Sequence, residues 1–447
     1  MLEKEKQERK QGDIILGMMF VIFILVCNLG NYILADQEKS QEENRSLAQK
    51  PELDKQSMIR GSFMDQYEDY LSDQFIGRDA FREFNIFVKM VGGSRMESDV
   101  FLGEGGQLLK NITKPDQKML DANIEAINLL AQEVVGKNAE DKEGVENQAA
   151  QIQVVENQAA EEQENDDQEV ENQETRRVFM LLVPDCTEIY QELLPEFATV
   201  ESEKEWFDTI ENRISDDIIW IDGLSIMSKY KKEKLYYRTD HHWTTLGAYH
   251  MFCECKNILG VSDKTDESGD QEEASEEQAV ENAKKSENEK QYEVYPITTD
   301  FNGMLSGNSG FCPNEREEID VYIPKEGAVS VILNYVDQQK RKTSLYDRYM
   351  LEEKDKYSVF LGGNSSLIDI RTTSTSEKKI LLIKDSFANC FIPFLTEYYS
   401  EIVVVDPRYY SGTIHDVMDT YPVDDILFLY SGATFLNDNN IKGFIMD

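Results

Sequence analysis

The chain has 447 residues, 86 of them acidic and 46 basic, for a formal charge of −40 at neutral pH. That length allows one or two domains with a sizeable core, and the acidity excludes the basic footprint that a nucleic-acid surface requires. The cysteines outside the first apolar run (Cys186, Cys253, Cys255, Cys312 and Cys390) are odd in number and scattered, which reads as neither a disulfide framework nor a zinc site.

The first element is apolar from Ile14 to Leu34, interrupted only by Gly17, Asn28, Gly30 and Asn31. Such a run can cross a hydrocarbon layer of about 30 Å. Lys4, Lys6, Arg9 and Lys10 precede it, and this excess of positive charge places the N-terminus inside and the bulk outside. The run is long for a signal peptide, and no A-x-A cleavage site follows it. The expected organisation is a cytoplasmic tail at 1–13, a transmembrane anchor at 14–34, a polar stem at 35–60 and an extracytoplasmic domain at 61–447.

Phe63, Tyr67, Tyr70, Leu71 and Phe75 recur at helical spacing and are expected to be core residues. Residues 100–109 read as a hairpin around a Gly-rich turn; with no Lys-Ser/Thr after the glycines, a phosphate loop is not indicated. Two acidic segments follow. Residues 137–175 carry 13 acidic residues and two lysines, with Val-Glu-Asn-Gln repeated from 145, 155 and 170; residues 263–290 carry 11 acidic residues and four lysines. Both bury too little apolar surface to offset their ordering entropy and are expected to be disordered insertions in surface loops.

Around the insertions, apolar β-rich runs appear at 178–183, 218–221, 359–361, 380–383, 402–405 and 426–429. Continuous apolar runs suit parallel strands covered on both faces, so the expected fold is α/β, an open, mostly parallel sheet with helices on both sides. Ligands in such folds bind beyond the carboxyl ends of the strands.

Two stretches carry chemistry. The run 380–383 ends in Lys384-Asp-Ser-Phe-Ala388, which places Ser386 at a strand-to-helix turn. A hydroxyl there can face a crevice, and the helix start offers backbone N–H groups to an oxyanion; the same position also suits a helix N-cap. The second stretch is Asp240-His-His-Trp243, two of the chain's four histidines beside an aspartate. In an extended segment Asp240 and His242 share a face and His241 points away, so one segment can supply a general base and its orienting carboxylate. Thr244 is expected to cap the following helix. The alternative is a metal site using Asp240, His241, His242 and His250, but no H-E-x-x-H or Cys/His spacing supports it, so neither a metal nor another cofactor is expected.

Asp240-His-His-Trp243 resembles the signature of the DHHW protein family, which is similar to the SGNH-like domains of alginate O-acetyltransferase proteins. Glu43-Asn-Arg45, Tyr70-Leu-Ser-Asp-Gln-Phe75 with Arg78, Phe360-Leu-Gly-Gly-Asn364, Lys384-Asp-Ser-Phe-Ala-Asn389 and Asp406-Pro-Arg-Tyr-Tyr410 fit the same family. The resemblance implies an SGNH-hydrolase-like fold and a triad in the chain order Asp240, His242, Ser386. It further implies oxyanion donors at Gly363 and Asn364 and saccharide contacts at Arg408 and Tyr409. Lys384 stands where hydrolases of this type keep a glycine. The expected activity is O-acylation of a cell-surface polysaccharide through an acyl-serine, with a multi-pass membrane acyltransferase as the partner that supplies the acyl group. An esterase using the same triad and a non-catalytic polysaccharide-binding assembly protein are the alternatives.

Overall fold

A computed structural model describes residues 2–40, 43, 45–156, 176–261, 292–312 and 316–446. The chain divides into two compact units, Met1–Ser98 with Met304–Cys312, and Asp99–Gly303 with Pro313–Asp447.

The first unit begins with the helix Leu2–Ile33, whose segment Gly12–Asn31 is long and apolar enough to cross a membrane and is a candidate single-pass anchor. The polar stretch after it is tied down by charge. Arg45 makes a bidentate pair with Asp73 (2.6 and 2.8 Å), Ala48 N–H donates to the same carboxylate at 2.8 Å, and Arg78 pairs with Glu43. Two of the motif stretches, 43–45 and 70–78, are therefore one ion-paired clamp. The helix Ser62–Asp73 departs from expectation, because none of its residues is buried. Phe63 stacks on Tyr67, and Tyr67 meets Tyr70 at a tilt, each pair with centroids 5.9 Å apart along one half-exposed stripe.

The second unit is built on an eight-stranded sheet. In chain order its strands are β1 (Arg177–Val183), β2 (Ile218–Ile221), β3 (Val331–Tyr335), β4 (Lys340–Lys342), β5 (Leu367–Thr372), β6 (Lys379–Lys384), β7 (Glu401–Val405) and β8 (Asp425–Ser431). Their spatial order is β4-β3-β5-β7-β6-β8-β1-β2. The run from β7 to β2 is parallel, and β5, β3 and β4 add antiparallel at one edge.

Alternation in the pleat explains the continuous apolar runs. Ile380 and Leu382 of β6 enter one core with Leu427 and Leu429 of β8, while Leu381 and Ile383 enter the opposite core with Ile426 and Phe428. Helices close both faces. Leu120, Ile124, Ile127, Ala131 and Val134, spaced four and three apart on the helix Gln117–Glu156, pack on the second face. Ala248, Met251, Phe252 and Cys255 of the helix Thr245–Cys255 pack on the first. Thr244 caps that helix as expected, accepting from Gly247 N–H at 3.2 Å. The hairpin at Val100–Leu102 and Leu108–Lys110 also forms, around a short 3-10 turn.

One expected strand is absent. Residues 356–359 form a 3-10 turn, and Leu361, Gly362 and Gly363 all adopt left-handed backbone (φ 57°, 72° and 92°). The helix Gln117–Glu156 runs into the first acidic segment. The remainder of that segment, 157–175, and the whole of 263–290 lie outside the described residues.

Candidate active site

The parallel core brings the ends of β6, β7 and β8 to one side of the sheet. Ser386 follows β6, the strand flanked by β7 and β8. The turn that presents it is shaped by Asp385, whose carboxylate caps the next turn by accepting from Phe387 N–H (2.9 Å) and ties to β8 through Ser431 N–H (3.0 Å) and Oγ (2.7 Å). Because Asp385 takes the capping role, the Ser386 hydroxyl is left for another partner. That partner is His242, with Nε2 2.7 Å from Ser386 Oγ.

Asp240 and His242 meet by a different route from the alternation expected of an extended strand. The segment 238–242 bends, and Asp240 Oδ1 accepts from both His242 N–H (3.0 Å) and His242 Nδ1 (2.6 Å). A side chain bonding the backbone two residues on is an Asx turn, and here it fixes the ring as well. With Nδ1–H given to the carboxylate, Nε2 is the acceptor that faces the serine hydroxyl. His241 does not diverge. Its ring lies 3.9 Å from that of His242, and burial, with His242 beside it, lowers its pKa to about 3. The ligand atoms of Asp240, His241 and His242 lie within 4.8 Å of one another, but both nitrogens of His242 are engaged by Asp240 and Ser386. His250 is elsewhere, stacked on Tyr230 at 3.9 Å and 3.2 Å from Glu233.

The surroundings hold this line rigidly. Tyr357 stacks flat on His242, centroids 3.8 Å apart, and donates its hydroxyl to Ser386 O at 3.3 Å. Trp243, fully buried, donates Nε1–H to Phe387 O at 2.9 Å, joining the His-bearing segment to the Ser-bearing turn. Buried Glu317 accepts from Arg238 N–H, Thr239 N–H and Thr239 Oγ1 at 2.7–2.8 Å. Gly303 backs Asp240 so closely that a Cβ there would lie 2.7 Å from Asp240 Cα.

The antiparallel β5 carries the 361–364 loop to the same end of the sheet, since Leu367 pairs with Val405 and Ser366 O accepts from Asp406 N–H at 3.1 Å. Left-handed Leu361 costs about 1–2 kcal/mol and is held by bonds from its N–H to Leu345 O and from Tyr335 OH to its carbonyl, each 2.7 Å. Asn364 then meets Lys384. The Lys384 ammonium, on a side chain 1% exposed, donates to Asn389 Oδ1 (2.9 Å) and Asn364 Oδ1 (3.2 Å) and lies 3.5 Å from Asp406. Asn364 thus turns its oxygen toward the lysine and its amide N–H groups away from it. Arg408 grips Asp406 through two bonds of 2.7 and 2.8 Å, its guanidinium 5.5 Å from the exposed Tyr409 ring. Burial lowers the pKa of Lys384, with Asp406 acting in the opposite direction.

Tyr357, Glu317, Asp385 and Gly303 escaped the sequence reading. Only Asp385 had a visible signal, as a capping residue type directly before the serine.

Comparison with known families and structures is consistent with this geometry. Residues 139–290 match the model of the SGNH hydrolase-like domain, acetyltransferase AlgX, and residues 314–405 match that of the DHHW protein. The first match contains Asp240 and His242, and the second contains Ser386. A DHHW family protein from Eubacterium siraeum DSM 15702 is 19% identical over 79% of this chain and 97% of its own, with a TM-score of 0.56. Bacillus cereus PatB1 is 17% identical over 77% of this chain and 99% of its own, with a TM-score of 0.54, and has also been solved with a sulfonyl adduct. No curated protein matches the chain. The fold is the SGNH-like α/β fold that the motifs implied.

Proposed function

We propose that this chain is a membrane-anchored, extracytoplasmic O-acyltransferase that acylates a cell-surface polysaccharide through Ser386. The observation that carries the reading is the unbroken line Asp240–His242–Ser386, 2.6 and 2.7 Å between partners, beyond the carboxyl end of a parallel strand. His242 Nε2 takes the proton of Ser386 Oγ as the oxygen attacks the acyl carbonyl. The donor's leaving group departs with that proton, and Ser386 holds the acyl group as an ester. An acceptor sugar hydroxyl then gives its proton to Nε2, attacks the ester, and returns Oγ–H to the enzyme. Asp240 holds the Nδ1 proton throughout. The backbone at Gly363 and the amide N–H of Asn364 are assigned to the oxyanion, and Arg408 with Tyr409 to the saccharide.

The match to an AlgX-type acetyltransferase domain supports acetyl as the acyl group and a polysaccharide as the acceptor, and a multi-pass membrane acyltransferase remains the proposed donor partner. The apolar span Gly12–Asn31 supports the anchor and, with the basic residues before it, the outward placement of the domain. Incubation with an activated acetyl ester, read by peptide mass spectrometry, should place an acetyl on Ser386 of the native protein and none on Ser386→Ala or His242→Ala. A phenylmethylsulfonyl fluoride probe should block the same residue. Asp240→Asn should slow acylation by about three to four orders of magnitude. Turnover that rises with added oligosaccharide marks a transferase, and turnover indifferent to it marks an esterase. A folded protein that never acylates would overturn the catalytic reading.

A further inference from the structure

The helix Arg78–Val91 in the first unit is two-faced. At 100° per residue, Phe81, Phe84, Phe87, Val88 and Val91 fall within an arc of about 120° that contains no charged residue. All five are exposed, Phe84 at 65% and Val91 at 73%. The other side is engaged. Ile86 is buried against Gly310, Arg82 donates to the carbonyls of Gly307 and Asn308, and Lys89 pairs with Glu97 at 2.7 Å. Fixed on one side, the helix cannot turn its apolar arc inward. A contiguous apolar face of this kind needs a cover.

The position of the arc says what covers it. Ile76, two residues before the helix, donates its N–H to Asn31 Oδ1 at 2.8 Å and packs on Gly30, at the outer end of the apolar span. Phe81 then meets Phe23 edge-on, centroids 6.3 Å apart. Phe23 lies eight residues inside Asn31, about 12 Å along the helix axis. If the span crosses a bilayer, the first residue of the arc is already at lipid depth.

We propose that Arg78–Val91 is an interfacial helix, lying on the bilayer with Phe84, Phe87, Val88 and Val91 in the lipid and its polar side away from it. The inference rests on the anchor reading of Leu2–Ile33. It adds a second attachment that limits swivelling about the span and so holds the first unit at a defined height over the membrane.

The test uses the full chain reconstituted in phosphatidylcholine vesicles with and without acyl-chain-brominated lipid. Phe84→Trp and Val88→Trp keep the arc apolar and each add one reporter. Lys89→Trp places the reporter on the polar side, and the native tryptophans (206, 220 and 243) give a common background. Brominated lipid should remove at least half of the added emission in Phe84→Trp and Val88→Trp, and none beyond background in Lys89→Trp. Failure of the chain to float with vesicles would remove the anchor and the inference together. Vesicle-bound protein whose added tryptophans escape quenching would sink the inference alone; if their emission were blue-shifted, a protein partner or a second copy would be the cover.

Discussion

Lys384→Met is the most informative change at the candidate site. Methionine keeps the length and volume of the lysine stem and removes its charge. Lost are the bonds to Asn389 and Asn364, at 2.9 and 3.2 Å, and the longer approach to Asp406 at 3.5 Å. Asp406 keeps its bidentate Arg408, so its carboxylate is not orphaned, and the variant is spared the desolvation of a buried ammonium. The net loss of stability should therefore be modest, about 1–3 kcal/mol rather than the larger cost of a stranded buried charge. For a domain of this size that is a fall in Tm of a few degrees, roughly 2–4 °C per kcal/mol. Activity should fall further than stability implies, because the Asn364 amide, proposed for the oxyanion, is then oriented by the bond from Asn389 Nδ2 (3.2 Å) without the lysine. Loss of one oxyanion donor costs about 10²–10³ in rate, so partial misplacement should cost about 10–100-fold. The assay is the rate of Ser386 acetylation by an activated ester, measured for Lys384→Met, Asn364→Ala and the double variant. If the lysine acts through Asn364, the double variant is no slower than Asn364→Ala. Additive losses, or an unchanged rate beside a lowered Tm, would refute the argument and make Lys384 purely structural.

Gly303→Ala places a methyl against Asp240 and should lower stability by about 1–3 kcal/mol while slowing acylation, both read on one preparation by thermal melt and intact mass. A full-rate Ala variant would mean that Asp240 can shift without cost. Glu203 is fully buried, accepts from Asp185 N–H at 2.6 Å, and has its pKa raised first by burial and then by Asp185. The folded state thus keeps a proton that the unfolded chain releases above about pH 4.3, so this carboxyl's contribution favours folding most below that pH and declines as pH rises toward the folded value. Glu203→Gln should flatten the fall in Tm between pH 5 and 8, and equal slopes for the two proteins would refute that assignment.

Much of this geometry is local and therefore legible in sequence. β1, β6, β7 and β8 announce themselves because both faces of each are buried, β2 by its apolar run although Ile219 is exposed at the sheet edge, and Ser386 follows from the end of one of them. What escaped is what depends on pairing across long separations. β5 reads poorly because Asp369 and Arg371 interrupt it, yet it fits antiparallel beside β7 and so delivers Asn364. Residues 359–361 are apolar enough for a strand, but the left-handed run from Leu361 to Gly363 breaks it. His241 was expected to point away, and the Asx turn at Asp240 overrode the alternation on which that rested. Tyr357 stacks on His242 across 115 positions of sequence, and no spacing rule reaches so far.

The amino ends of the parallel strands have a consequence of their own. Arg177, the first residue of β1, donates to Leu259 O, and Gly260 O accepts from Lys378, just before β6. The described residues that follow the first acidic segment and precede the second therefore meet at the amino ends of the strands, opposite Ser386. These two attachment points lie behind the chemistry rather than across its entrance. A fluorescent module or an affinity handle spliced between 157 and 175, or between 263 and 290, should leave acyl transfer intact, which makes the rear edge the natural attachment point for following this protein in living cells.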